Sequence, residues 1–476
     1  MATETASRAS VGLRSERGPI LLSLMLATSL VALDSTIIAT AVLTIVGDLG
    51  GFTQFPWLFS VYLLAQAVSV PIYGKLADVF GRKPIMLFGI AVFAIGSLLC
   101  GVAWSMPALI VFRAVQGLGA GAVQPMSLTI AGDIYSVAER AKVQGYIASV
   151  WGVSAVLGPT LGGVFSEYLS WRWIFLVNLP LCAIAAWMLM RNFAEEKITR
   201  RSRIDYPGAI LLTGGAALMI LGLLEGGQAW AWVSPAGIGA FVAGALLLVA
   251  FVLVERRVAD PILPLHMLTR RVLVASSLVS LSVGAILMGL TSYVPTFVQG
   301  VLGTGALVAG FALAVLTIGW PIAASQAGRL YLRVGFRTTA LIGSVLVLAG
   351  SALLLLLGDG SPVWQVGATC FVIGSGMGLI ATPTLIAAQS SVDWSERGVV
   401  TSTNMFARSI GSAVGVAVFG ALVNSRVGDT AEPDPTALSG AIHLVFVGIL
   451  GIAVLLTVSS ALMPRAEKAD KADSVP

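Results

Sequence analysis

The sequence predicts an all-α polytopic membrane protein with fourteen transmembrane helices. Three observations carry this prediction. Fourteen stretches of the 476-residue chain are apolar over about the 20 residues that a bilayer span requires. Only 11% of the residues are charged and 57% are hydrophobic, whereas a soluble domain carries about 25% charge. Almost all Lys and Arg residues fall in alternate connections between the apolar stretches.

The expected spans, in chain order, are 20–45, 55–74, 84–104, 107–131, 143–165, 173–191 and 207–225, then 235–254, 273–297, 305–326, 338–357, 364–387, 399–424 and 441–463. Arg8, Arg14 and Arg17 precede the first, and Ala39-Thr40-Ala41 resembles a signal-cleavage site. That apolar run is longer than a signal core and contains Asp34, so it reads as a span. With the N-terminus inside, the inner connections and tails hold all 28 basic residues except Arg113, Arg172, Arg408 and Arg426. The positive-inside rule therefore predicts cytoplasmic termini and a cell-membrane location.

An internal repeat divides the chain. Gly74, Gly81, Gly89 and Gly96 recur as Gly328, Gly335, Gly343 and Gly350, and Ser97 as Ser351. Gly117, Gly119 and Gly121 pair with Gly374, Gly376 and Gly378. The expected organisation is a tail at 1–19, a six-helix bundle at 20–191, linkers with two inserted helices at 192–272, a second six-helix bundle at 273–463 and a tail at 464–476. Parallel repeats of this kind characterise carriers that bind their substrates near the bilayer midplane.

Several chemistries are excluded. Cys100, Cys182 and Cys370 all lie in apolar spans and read as packing residues, not a disulfide framework. With His266 and His443 as the sole histidines, no His/Cys metal cluster can form, and no GxxxxGK[ST] phosphate loop occurs. No cofactor, metal or nucleic-acid partner is implied. Intramembrane catalysis would need a nucleophile–base pair or metal ligands at one depth, and none is found, so an enzyme is not expected.

Four motifs stand out. Span 1 holds Leu33-Asp34-Ser35-Thr36-Ile37, and the connection after span 2 reads Gly74-Lys-Leu-Ala-Asp78-Val-Phe-Gly81-Arg82-Lys83. Span 4 reads Arg113-Ala-Val-Gln116-Gly117-Leu-Gly119-Ala-Gly121, and span 5 carries Gly152, Gly158-Pro159 and Gly162-Gly163. Together they resemble the major facilitator superfamily, and more narrowly its fourteen-span drug/proton antiporter branch, over nearly the whole chain. The resemblance implies an alternating-access carrier that exports hydrophobic, cationic drugs or toxic compounds in exchange for protons. A dedicated exporter of one metabolite, antibiotic or lipid on the same fold is the alternative. Its expected partners are a small hydrophobic substrate, protons and membrane lipids. A monomer suffices, because one chain forms its own cavity. Heavy use of Ala, Gly and Arg suits a bacterial origin.

The resemblance also implies roles for residues. The Gly74–Lys83 connection becomes a cytoplasmic latch, with Asp78 holding the halves together, Arg82 and Lys83 supplying positive charge, and Arg140 as a partner for Asp78. A simple topology anchor is the alternative. Leu332 and Phe336 replace the acid and the first base in the second copy, so the latch is expected only in the first half. The glycine-rich span 5 is expected at the interface between halves, with ordinary small-residue packing as its alternative.

Asp34 is the one acid well inside a span. At a rise of 1.5 Å per residue, it and Arg113 both lie roughly 10 Å from the outer surface. We expect them to interact. Arg113 favours the ionised carboxylate and a dry cavity the neutral one, so changing access could load and release a proton. A static structural pair is the alternative. Candidate substrate contacts are Asp34, Gln116, Met126, Trp151, Asn404, Phe406, Arg408 and Glu225. Arg408 has the alternative of bonding nearby carbonyls, and His443 reads as an interfacial residue.

Overall fold

The structure is a computed structural model that describes residues 12–38, 41–50, 57–195, 205–227, 230–258, 269–427 and 435–464. Residues 1–11 and 465–476 of the expected tails fall outside these residues, as do 196–204 of the connection between the first bundle and the inserted helices. The architecture is all-helical. The first half contains α1 (Gly18–Ile37), α2 (Val42–Leu49), α3 (Trp57–Phe80), α4 (Arg82–Gly101), α5 (Met106–Ile134), α6 (Val137–Val164), α7 (Trp173–Leu176) and α8 (Asn178–Asn192). Then come α9 (Tyr206–Glu225) and α10 (Pro235–Glu255). The second half contains α11 (Arg271–Gly300), α12 (Ala306–Val334), α13 (Phe336–Leu354), α14 (Val363–Ser390), α15 (Arg397–Val427) and α16 (Pro435–Leu462). Among the described residues, 12 helical segments are long and apolar enough to cross a membrane, α7 and α8 together forming one of them. Two more long helices, α6 and α15, of 28 and 31 residues, lie among them.

Local sequence sets the helix ends. Ser105, Asp205 and Ser234 each precede a helix that carries proline in its first turn, and each side chain accepts a hydrogen bond from a backbone N–H of that turn. Ser136 and Glu139 form a capping box at the start of α6. Two boundaries differ from expectation. The first span ends at Ile37 and is followed by the separate helix α2, where a span to residue 45 was expected. The Gly74–Lys83 motif is not a loop. It comprises the last turns of α3 and the first of α4, because nothing interrupts the helix before Gly81. Gly81 breaks it with φ 103°, and its repeat partner Gly335 separates α12 from α13 with φ 86°.

Each half has its own core. Leu21, Leu24, Phe93, Val123, Met126 and Ile147 belong to the first, and Val283, Ile286, Phe297, Ile373, Phe419 and Phe446 to the second. Lipid is as apolar as these side chains, so helix association rests on close packing that small residues permit. The repeated glycines mark the contacts. A Cβ on Gly119 would lie 2.4 Å from the backbone nitrogen of Phe93, which fixes the α4–α5 crossing. In the second half, a Cβ on Gly376 would lie 2.6 Å from the Gly343 carbonyl oxygen at the α13–α14 crossing.

The inserted helices do different jobs. α9 packs Ala216 and Ile220 against Ala67 and Val68 of α3 and Ala413 of α15, so it bridges the seam between the halves. α10 packs on α9 through the close approach of Gly215 to Gly244 and turns its other face outward, with Leu246 65% exposed. An exposed aliphatic face, with Ile238, Val242, Leu246, Val249 and Leu253, suits contact with lipid.

Candidate functional site

Two polar clusters stand out against the apolar interior. The first lies within the first half. α1 carries Asp34 and α5, running antiparallel to it, carries Arg113 to the same depth. Both side chains are fully buried. Arg113 Nη1 donates to Asp34 Oδ2 at 2.6 Å and to Gln116 Oε1 at 2.7 Å. Gln116 Nε2 lies 2.8 Å from both Asp34 Oδ1 and Ser97 Oγ. Asn178 Nδ2 on α8 stands 3.5 Å from both of those oxygens. Arg113 Nε donates to the Leu58 carbonyl at 3.1 Å, and the guanidinium sits 4.1 Å from the centroid of the Tyr62 ring.

This arrangement holds a carboxylate in apolar surroundings by one formal charge and a set of amide donors. A buried pair is costly unless its remaining donors and acceptors are met, and here both oxygens of Asp34 are engaged. Arg113 and Gln116 each hold one oxygen of Asp34, so any movement of α1 against α5 would change the surroundings of the carboxylate. Gln116, expected as a substrate contact, belongs to this network. Ser97, Asn178 and Tyr62 also belong to it and carried no sequence signal, apart from the recurrence of Ser97 as Ser351.

The second cluster joins the two halves at the end of the bundle where α3, α5 and α12 finish, called here the basic end. Asp78 accepts hydrogen bonds from the backbone nitrogens of Gly398 at 3.1 Å and Val399 at 2.9 Å, at the start of α15. A carboxylate at a helix N-terminus meets unpaired N–H groups and the positive end of the helix dipole. Arg82 Nη2 pairs with Asp78 at 2.8 Å and donates to the Trp394 carbonyl at 2.7 Å, while Nε reaches Asp133 at 3.1 Å. The Arg82 guanidinium lies 3.8 Å from the Trp394 ring centroid. Arg397 meets Asp133 from the other half at 3.2 Å. Gly74 marks a close approach of α3 and α15: a Cβ there would fall 2.3 Å from Ser402 Oγ and 2.9 Å from the Gly398 carbonyl.

Other expected residues are placed differently. Arg140 does not meet Asp78, whose oxygens are taken by α15 and Arg82. It donates instead to the Tyr135 carbonyl at 2.9 Å and across the halves to Ser390 at 3.3 Å. Lys83 stays in the first half, donating to the carbonyls of Met190 and Phe193. Glu195 accepts from the backbone nitrogens of Arg82 and Lys83. In the second copy Leu332 is exposed, and Arg337 makes no ion pair among the described residues. Asp133, Trp394 and Arg397 complete the cluster and were not foreseen, because their spacing forms no motif.

On α6, Gly152 faces the other half, with a Cβ position 3.4 Å from the Thr317 carbonyl of α12. Gly158 faces its own half, where a Cβ would fall 2.1 Å from Thr36 Oγ1 of α1. The motif is therefore split between the two interfaces. Gly162 and Pro159 lie in the same helix, and a Cβ on Gly163 would meet nothing within 4 Å.

Met126, expected as a cavity residue, is fully buried and packs within the first core. Trp151 packs beside that core, and Phe406 packs against the cluster that α9 forms on α3 and α15. Asn404 is bound by α11: its amide donates to the Ser276 carbonyl at 3.1 Å and accepts from Ser280 at 2.5 Å. Glu225, at the end of α9, accepts a hydrogen bond from Ser60 of α3. His443 packs on the rings of Phe297 and Phe446. Arg408 stands 5.4 Å from the Trp320 ring centroid.

Comparison with known proteins identifies the family to which this fold belongs. The family model described as Major Facilitator Superfamily matches residues 24–416. "Multidrug resistance protein 3" of Bacillus subtilis (strain 168) is 37% identical over 423 residues, covering 88% of this chain and 81% of that protein. "Multidrug transporter protein MdtP" of the same organism is 36% identical, covering 88% and 77%. "Efflux pump dotC" of Dothistroma septosporum (strain NZE10 / CBS 128990) is 32% identical, covering 83% and 70%. Among solved structures, the human organic anion transporter MFSD10 (TETRAN) superposes with a TM-score of 0.65 at 15% identity, covering 94% of this chain and 99% of that one. That last likeness concerns the fold alone. The chain is a multi-pass membrane transporter, not an enzyme, and it belongs to the Major Facilitator Superfamily, in the company of its multidrug efflux transporters.

Proposed function

We propose that this chain exports hydrophobic compounds across a bacterial cell membrane in exchange for protons, by alternating access. The observation that carries the proton part is the buried network in which Asp34 meets Arg113 at 2.6 Å and Gln116 at 2.8 Å. In this reading Asp34 is the proton site. Ionised, it is held by Arg113. Protonated, it releases Arg113, and α1 and α5 move relative to each other. Export of drugs rests on the printed names of the bacterial relatives.

The basic end faces the cytoplasm in this reading, as the distribution of Lys and Arg favours. α6 and α15 then count as spans, which makes fourteen crossings and puts both termini inside. The contacts of Asp78, Arg82, Arg140 and Arg397 form the cytoplasmic latch, and the state described has that latch closed. The cationic substrate expected at the outset loses its main support, since Asp34 is committed to Arg113.

Proton counterflow tests the proposal. Full-length protein in proteoliposomes, with a pH-sensitive dye trapped inside, should show substrate-dependent proton movement when a transported drug is added. Drug movement with no accompanying proton flux would contradict antiport while leaving export intact.

A further inference from the structure

We infer that Arg408 and Trp320 form a midplane seat for the anionic group of a hydrophobic substrate. The inference rests on the reading of the chain as an exporter of hydrophobic compounds and names the class it carries.

Position comes first. Arg408 lies about 11 residues into α15 from Arg397, roughly 16 Å from the basic end and so near the centre of a core about 30 Å thick. Secondary transporters of parallel-repeat design bind their substrates at this depth. The Arg408 guanidinium reaches from α15 towards α12 and rests 5.4 Å from the Trp320 centroid. The backbone behind it is fixed, because a Cβ on Gly284 would lie 2.1 Å from the Arg408 carbonyl oxygen, so α11 and α15 are in contact there.

Charge comes second. Arg408 makes no ion pair and no hydrogen bond among the described residues, and both it and Trp320 are partly accessible. Asp34, the acid nearest this level, is neutralised by Arg113. Glu225 is at the end of α9 and bonded to Ser60. The amide of Asn404, one turn before Arg408, is engaged by Ser276 and Ser280. Among the described residues, Arg408 is therefore left without a compensating charge near the middle of the bundle. Ionisable groups at this depth are costly and mark substrate or ion pathways.

Chemistry comes third. Contact with the indole face leaves the N–H edges of the guanidinium open, and that fork matches a carboxylate or sulfonate in two parallel hydrogen bonds. The Trp320 ring beside it offers an apolar and aromatic surface to the body of the same molecule. A cation would meet repulsion here. The fitting substrate is an amphiphile with one carboxylate or sulfonate on an apolar, preferably aromatic, body.

The test uses full-length protein in proteoliposomes under an imposed pH gradient, with three fluorescent probes: a dansylated leucine carboxylate, its uncharged amide, and ethidium. Wild type should move the carboxylate at least tenfold faster than the amide. Arg408→Gln should move both at one rate, and Arg408→Lys should regain only part of the preference, since an ammonium lacks the planar fork. Trp320→Phe should raise KM for the carboxylate several-fold and keep the preference. If Arg408→Gln fails to fold, the lysine and phenylalanine variants carry the test. Equal rates for carboxylate and amide in wild type, or a preference or KM untouched by these substitutions, would overturn the seat. Movement of ethidium alone would overturn it and leave export standing. Movement of none of the three would remove the exporter reading, and the inference with it.

Discussion

Asp78 of α3 accepts a hydrogen bond from the backbone nitrogen of Val399 at 2.9 Å, so a side chain of one half caps a helix of the other. The sequence motif around Asp78 suggests a partner among bases. The structure supplies a helix N-terminus as well, with Arg82 bracing the carboxylate from its own half.

Removing that cap should open the basic end. Hydrogen bonds to a charged group contribute about 1.5–3 kcal/mol each, which is a tenfold or greater change in the open-to-closed ratio. Asp78→Ala should therefore expose Ser402, which faces Gly74 in the closed seam. Thiol labelling of Ser402→Cys from the side of the basic end reads this directly. Slow labelling is expected with Asp78 present, and labelling at least tenfold faster without it. Equal rates would mean that Asp78 does not hold the halves together.

Gly74 should tolerate no side chain while the seam is closed. Its Cβ position collides with both Ser402 and the Gly398 carbonyl. Gly74→Ala should cut transport severely with little change in melting temperature, since the strain exists in only one state of the cycle. Ser402→Gly, added to it, should restore part of the activity. The backbone carbonyl remains in place, so full recovery would show that the packing has been misjudged.

Arg113 should matter for stability as well as transport. Removing one partner of a buried ion pair costs about 3–5 kcal/mol, because the other is left uncompensated. Arg113→Ala should lower the melting temperature in detergent clearly. Asp34→Asn combined with Arg113→Gln should recover most of the loss, yet still fail to couple transport to protons. Recovery of coupling in the double variant would place the proton elsewhere.

How much of this was legible in the sequence depends on geometry. The shared depth of Asp34 and Arg113 follows from counting residues along straight helices, so their contact was foreseeable. Which way a side chain points around its helix axis does not follow from counting. Met126 was read as a cavity residue yet points into the first core, and Gln116, only three residues from Arg113, is part of the ion-pair network. Ser97 and Asn178 come from α4 and α8, and only the tertiary packing brings them to Asp34. The same holds for Asp133, Trp394 and Arg397 at the basic end. The pairing of Asp78 with Arg140 failed for a related reason: a backbone N-terminus competes for a carboxylate as well as a guanidinium does, and no sequence motif announces it.

The glycine repeat was more informative. Gly89, Gly96, Gly119 and their second-half counterparts mark places where helices touch backbone to backbone, and a missing side chain is visible in any sequence. Span 5 was harder to read, because its glycines serve two interfaces. Gly152 meets α12 and Gly158 meets α1.

The measurement that bears most directly on the central claim is transport driven by a pH gradient in proteoliposomes, comparing wild type with Asp34→Asn at matched protein levels. Asparagine keeps the size and an acceptor for Arg113 but cannot take up and release a proton. Wild-type transport of a hydrophobic probe should rise with the gradient, and the Asp34→Asn protein should ignore it. Equal gradient dependence in both proteins would contradict the assignment of Asp34 as the coupling site.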